Sequence, residues 1–265
     1  GAVSRVMSFP VTKEIKMNIS AKILLLMENV INYIAFNDTT NMGHTQKLHQ
    51  MNILKHCCSF GHKGCLKEAE RLSLDISSGS PEKRSALLCT VVKLGNSSVW
   101  ESVLGRYENA KSPAWALLML RSLACTNNET LTKRLLKLLF TDKVRRHDIV
   151  NIITLISSSS DGADIVFTYF IENIYNIYQR FGEFTSLRKI MRSISKYMTQ
   201  SHLTELKQIT LPQSYAALKL NDFIKSSEKS QSWRNNAAKQ LTLYVMGGGN
   251  VSTPFYQTFS HGKLH

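Results

Sequence analysis

Apolar residues recur at three- and four-residue steps through most of the chain. Ile15, Ile19, Ile23, Met27, Val30 and Ile34 set the first such stripe, the spacing of one face of an α-helix. The run Phe36-Asn37-Asp38-Thr39-Thr40-Asn41 ends it with turn formers. A second helical pattern covers 46–59, with Leu48, Met51, Ile53, Leu54 and Cys58 as core positions. Gly61 and Gly64 bracket a corner, and the pattern resumes over 66–74. Ser80-Pro81-Glu82 then reads as a helix start, with a serine cap and proline in the first turn. Its apolar side is Leu87, Leu88, Val91, Val92 and Leu94, and Gly95 closes it.

The pattern continues. Trp100, Val103, Leu104 and Tyr107 make a short helix, and Ser112-Pro113 opens another through Trp115, Leu118, Met119 and Leu123 to Cys125. Leu131 to Leu139, Ile149 to Ile156, Ile165 to Ile177 and Phe184 to Ile194 follow. Tyr215, Leu218, Leu220 and Ile224 come after Pro212, then Trp233, Leu241 and Val245. No run of alternating strand residues interrupts this. The expected fold is all-α: an irregular α-solenoid of antiparallel helix pairs, a HEAT- or armadillo-like bowl. No strict period is visible, which argues against ankyrin or tetratricopeptide arrays. The expected organisation is a linker or crossing segment over 1–14, a helical domain over 15–246 and a disordered tail over 247–265.

Charge changes the picture only modestly. Lysine and arginine number 33 against 19 acidic residues, a formal net charge of +14, which favours attraction to polyanions without defining a fold. Basic motifs interleaved with aromatics are missing, so no specific nucleic-acid partner is expected. The five cysteines make two pairs and one left over, Cys57. Sequons stand at Asn18, Asn37, Asn96, Asn128 and Asn250 as glycosylation candidates. Cysteines and sequons together lean toward an extracellular or secretory-lumen location. No secretory signal opens the chain and no apolar run spans a bilayer. A chain of this kind that begins on Gly1 reads as a fragment.

Candidate chemistry centres on the corner. Cys58 and Cys65 flank the turn and can close it as a disulfide. His56 and His62 beside them open a competing metal reading, but the spacing fits no familiar zinc finger, and the disulfide is favoured. Catalytic motifs are absent: no His-Glu-x-x-His, no Gly-x-Ser-x-Gly elbow and no phosphate-binding loop. No catalytic residue and no cofactor are therefore expected in this chain. Lys133, Arg134, Lys137, Lys143, Arg145 and Arg146 form a basic cluster, read as a solvated helix face or, more sharply, as supplying one arginine to a cavity that contacts peptide. Arg145 is expected in the first turn of a helix, with Asp148 on the same side to hold its guanidinium. Tyr169, Tyr175 and Tyr178 read as packing residues.

The run His56-Cys57-Cys58-Ser59-Phe60-Gly61-His62-Lys63-Gly64-Cys65-Leu66-Lys67-Glu68-Ala69 resembles the start of the C-terminal helical domain of aminopeptidase N and its relatives, the gluzincin (M1) aminopeptidases. Trp100-Glu101, Arg106-Tyr107, Leu123-Ala124-Cys125-Thr126 and Val144-Arg145-Arg146-His147-Asp148 resemble further family segments, and the similarity covers roughly 17–245. It implies pairing of Cys58 with Cys65 and of Cys89 with Cys125. It also implies a bowl that covers a zinc peptidase site and controls peptide access. The zinc and the exopeptidase loop would belong to a catalytic domain absent here. The implied partners are that domain and a peptide substrate, and the implied substrate-binding residues are Arg145 and Asp148. Two other classes stay open: a non-catalytic extracellular recognition domain, and an intracellular basic scaffold for nucleic acid.

Overall fold

The computed structural model describes residues 12–36, 41–77, 80–195 and 197–246. Among the described residues the fold is all-α, with thirteen α-helices and no strand. The expected tail over 247–265 and most of the expected linker over 1–14 lie outside the described residues.

The helices are α1 (Lys13–Val30), α2 (His44–Ser59), α3 (Lys63–Leu74), α4 (Pro81–Leu94), α5 (Ser97–Glu108), α6 (Pro113–Leu123) and α7 (Glu129–Leu139). They continue as α8 (Arg146–Ile156), α9 (Ser160–Glu172), α10 (Ile174–Phe181), α11 (Phe184–Ser195), α12 (Gln200–Gln208) and α13 (Leu220–Met246). A π-helical turn, Ile31–Ala35, extends α1, and a 3-10 segment, Gln213–Leu218, precedes α13.

One row of helices runs α2–α4–α6–α8–α11–α13, each packed on the next. The intervening helices pack onto that row: α3 on α4, α5 on α6, α7 and α9 on α8. This is the two-layer architecture of a helical repeat. Residues between α4 and α13 share one continuous core, from Leu88 and Trp100 through Leu135, Ile152 and Ile190 to Leu218. A second core beneath the α2–α3 corner gathers Ile31, Leu54, Cys57, Cys65, Leu72 and Val91. α13, roughly 40 Å long at 1.5 Å per residue, returns to the first helix, where Ala238 and Leu241 bury Ile15 and Ile19.

Local chemistry explains the helix starts. Thr12, Ser80, Asn96, Ser112, Asn128 and Thr199 each accept a backbone N–H of the following turn through a side-chain oxygen. Two disulfides pin the array: Cys58 to Cys65 across the α2–α3 corner, and Cys89 of α4 to Cys125 beyond α6, each with Cα atoms 5.3 Å apart. Cys57 is a buried thiol whose pKa burial pushes up to about 11. Trp100 of α5 donates its indole N–H to the Leu123 carbonyl at 3.2 Å, locking α5 against the end of α6.

Several expectations shift. The single pattern over 165–177 is two helices. Asn173 leaves helical geometry (φ −119°, ψ 16°), and its side-chain amide donates to the Tyr169 carbonyl at 2.9 Å. This local bond competes with helix continuation. α12 follows no stripe identified in the sequence, because its nine residues supply only Leu203 and Leu206 to the core. Val30 and Leu48, expected inside, are each 40% exposed; Val30 ends α1, of which only Ile15 and Ile19 are buried, and Leu48 lies in the N-terminal half of α2. Gln50, a polar residue, is fully buried instead, and donates to the Ile34 carbonyl at 2.9 Å in the π-helical turn.

His202 gives the fold a pH dependence. Its Nδ1 accepts the Thr199 backbone N–H at 3.2 Å, and its ring lies 4.3 Å from the Phe167 ring. Burial lowers its pKa, outweighing the opposing pull of Asp164, whose carboxylate stands 3.2 Å from Nε2. The unfolded chain therefore binds this proton more readily than the folded one, and stability must fall as pH drops through the histidine range. Denaturation midpoints measured between pH 7.5 and 5 should decline, and His202→Gln should flatten that part of the profile. Removing the disulfides separates their contributions. Cys89→Ser with Cys125→Ser should cost about 4 kcal/mol and Cys58→Ser with Cys65→Ser about 2–3 kcal/mol in the chain-entropy account, read from urea unfolding.

Candidate functional site

The site is built on the connection between α7 and α8. Helix α7 ends at Leu139, and the chain must cross to Arg146 with carbonyls that no helix can satisfy. Two side chains from other helices take them. Arg180 of α10 donates to the Thr141 and Val144 carbonyls, both at 3.1 Å, and sits 3.4 Å from the Asp142 carboxylate. Tyr107 of α5 donates its hydroxyl to the Lys143 carbonyl at 2.9 Å. Burial, then the nearby Asp148 charge, raises the Tyr107 pKa, keeping the phenol protonated as a donor.

This clamped connection forms one wall of an open cleft of about 750 Å³. Pro113, Ala116, Leu117 and Leu120 of α6 give it an apolar floor, and Glu108, Lys111, Lys143, Arg145 and Asp148 supply charge. Lys143 is neutralised by Glu108 at 3.3 Å. Arg145 sets both Nε and Nη2 2.7 Å from one oxygen of Asp148, whose side chain is 6% exposed. The guanidinium is thereby fixed by a buried carboxylate, while its Nη1 makes no hydrogen bond among the described residues. Volume, apolar floor and a few oriented polar groups are the attributes of a ligand cleft. A peptide carbonyl or carboxylate is the group that a fixed guanidinium fork recognises best.

The structure brings Arg145 and Asp148 together, with one geometric correction. Arg145 is not in the first helical turn but is the residue before it (φ −66°, ψ 132°), so α8 begins at Arg146. Asp148 N–H donates to the Arg145 carbonyl at 3.0 Å, which ties the two residues through backbone as well as side chain. Arg146 is exposed and makes no ion pair among the described residues. The rest of the basic cluster divides. Lys133 pairs with Glu129 at 2.6 Å, and Arg134 pairs with Glu101 while lying over the Trp100 ring. Tyr169, Tyr175 and Tyr178 pack against Phe140, Tyr215 and Phe184.

At the corner, His62 caps α3 by accepting the Cys65 N–H through Nδ1 and stacks on Phe36, and His56 stacks on Phe60. Cys58 and Cys65 are joined to each other. These residues do not compose a ligand set for zinc, and among the described residues no group of three His, Cys, Asp or Glu side chains does. Asn18, Asn96 and Asn128 are exposed and dispersed, with Asn96 and Asn128 engaged as helix caps through Oδ1. Asn37 and Asn250 lie outside the described residues. Among the described residues no helix is long and apolar enough to cross a membrane. Tyr107 and Arg180 carry no sequence signal for their role, because each acts on a backbone carbonyl more than thirty residues away.

The molecule is an all-helical two-layer array, stapled by disulfides and opening a charged cleft at its α7–α8 connection. The chain belongs to the ERAP1-like C-terminal domain family of M1 aminopeptidases, whose family model matches residues 2–225. It is 26% identical over 163 residues to the thyrotropin-releasing hormone-degrading ectoenzyme of Homo sapiens, covering 58% of this chain and 15% of that protein. It is 25% identical over 186 residues to aminopeptidase N of Oryctolagus cuniculus (66% and 19%) and 23% identical over 168 residues to aminopeptidase Ey of Gallus gallus (60% and 17%). The chain thus spans less than a fifth of the length of these relatives. One relative is an ectoenzyme by name, and the two disulfides fit an extracellular location.

Arg180 holds the cleft wall. Arg180→Met strips two loop carbonyls of a charged donor and should cost about 2–4 kcal/mol, measured by urea unfolding. Amide hydrogen exchange should rise over 141–146 while the α4–α6 core stays protected.

Proposed function

We propose that this domain covers the peptide-binding chamber of an M1-type aminopeptidase and controls which peptides enter. In this reading the domain performs no bond cleavage. The cleft beside α6 receives the part of a peptide remote from the scissile bond, with backbone or side chain on the apolar floor and a carbonyl or carboxylate on Arg145. The observation that carries the reading is the Arg145–Asp148 pair: a guanidinium held rigid by a buried carboxylate at the edge of an open cleft. Fixing the group beforehand lowers the ordering cost of binding. Family membership supplies the setting, and the resident zinc belongs to a catalytic portion outside this chain.

The test joins the chain to the catalytic portion of a relative. Arg145→Ala should lower kcat/KM on longer peptides by about tenfold, near 1.4 kcal/mol, and leave single-residue amide substrates unaffected. Arg146→Ala should change neither. Since losing Arg145 strands the buried Asp148 charge, Arg145→Ala with Asp148→Asn is the companion variant. It should show the same selective loss without a stability deficit. Equal losses on short and long substrates, or equal effects of Arg145→Ala and Arg146→Ala, would overturn the reading.

A further inference from the structure

A second cleft, of about 420 Å³, opens between α11, the 3-10 segment and the first turn of α13. It is separate from the Arg145 cleft and shares no lining residue with it. Four cations line it, Arg188, Lys189, Arg192 and Lys219, against a single carboxylate, Asp222. None of the four makes an ion pair with a carboxylate among the described residues. Arg188 makes only long contacts, 3.4 Å to the Ala217 carbonyl and 3.5 Å to the Thr185 hydroxyl. Like charges gathered without counter-ions repel, and a fold retains such a cluster at a cost.

Lys219 adds an independent observation. It is the only non-glycine among the described residues with positive φ, at 55°, a left-handed conformation that a β-carbon disfavours. Glycine or asparagine would relieve it, yet the position holds a lysine that faces the cleft lining. The Phe223 N–H closes on the Lys219 carbonyl at 3.1 Å, so the residue also starts α13, whose N-terminal end adds partial positive charge. Met191, Leu218 and Phe223 form the apolar part of the lining, and Ser226 offers a hydroxyl.

We propose that this cleft binds an organic oxyanion, a phosphate or sulfate ester whose charge lies among Arg188, Lys189, Arg192 and Lys219 and whose carbon framework rests on Met191, Leu218 and Phe223. The cavity falls within the size range of small-molecule sites. Tetrahedral oxyanions accept several N–H donors at once, which suits three cations on α11 facing Lys219 just before α13. Asp222 opposes the anion and limits its affinity. A sulfated sugar chain and a free phosphate compound both carry such a group, and the chemistry of recognition is the same.

The experiment titrates the 265-residue chain with pyrophosphate and, separately, with a heparin-derived sulfated tetrasaccharide at physiological salt, by calorimetry. Arg192→Gln and Lys189→Gln should each weaken binding several-fold. Lys219→Gly should weaken binding by about tenfold while raising the unfolding midpoint by about 2–4 °C, a split that a purely structural lysine would not give. Asp222→Asn should tighten binding. Lys137→Gln, which removes the same charge from an exposed face of α7, should do nothing. Tighter binding of the tetrasaccharide assigns the site to sulfated sugars, and tighter binding of pyrophosphate to phosphate compounds. The proposal is overturned if neither probe binds, if Lys137→Gln weakens binding as much as Arg192→Gln, or if Lys219→Gly leaves affinity unchanged.

Discussion

The chain crosses from α7 to α8 through Thr141 to Val144, of which the first three residues are exposed and Val144 is buried, and no helix supplies donors to their carbonyls. A buried carbonyl without a donor costs as much as a lost hydrogen bond. Arg180 and Tyr107 remove that cost, and in doing so fix the backbone from which Lys143 and Arg145 project. The donors come from α5 and α10, on opposite sides of the connection in sequence. The cleft wall is therefore only as well placed as the packing of those helices. That packing rests on the shared core of Trp100, Leu135, Ile152 and Ile177. Geometry at Arg145 is a consequence of core packing, transmitted through two side chains.

The disulfides act at a different level. Each joins elements already in contact, α2 with α3 and α4 with the end of α6. A solenoid contacts only its neighbours and unfolds most readily where a neighbour interface is weak. The first staple closes the corner over the smaller core around Cys57, Leu54 and Ala69. The second fixes the place where Trp100 also reaches across to Leu123. Both lie in the first half of the array. Its second half has no staple and depends on aromatic packing around Tyr178, Phe184 and Tyr215 and on buried Arg234, which donates to the Ser195 and Met198 carbonyls.

Helical periodicity made most of the fold legible, because burial in a two-layer array imposes a one-sided apolar stripe on nearly every helix. It failed where burial is polar or local. Gln50 is buried by a carbonyl freed in a π-helical turn, and no period announces that. Asn173 divides α9 from α10 by a side-chain bond to its own preceding turn, and the apolar spacing continues across the break. For the first cleft, Arg145 and Asp148 were legible as neighbours three residues apart, together with a resemblance. Arg145 nonetheless falls just before the helix rather than in it. The residues that hold that segment, Tyr107 and Arg180, were not legible, since their partners are backbone atoms brought near only by the fold. The second cleft was hidden for the same reason. Arg188, Lys189 and Arg192 look like the wet side of an amphipathic helix until Lys219 is placed beside them.

The net charge of +14 is thus not one property. Part of it is cancelled at the surface, in pairs such as Lys133–Glu129 and Arg134–Glu101, which add little stability when exposed. Part is spent inside: Arg180 and Arg234 act as donors to main-chain carbonyls, and burial lowers the Arg234 pKa without a carboxylate to offset it. Arg145 is a third kind, a charge oriented by a buried partner so that a remaining donor stays free. Four more cations stand together where α11 meets the start of α13, without a carboxylate partner among the described residues and with one lysine in a backbone conformation it does not favour. A charge excess spread evenly would attract polyanions everywhere and weakly. An excess concentrated beside an apolar lining can select among them, and that difference separates a solubilising surface from a site.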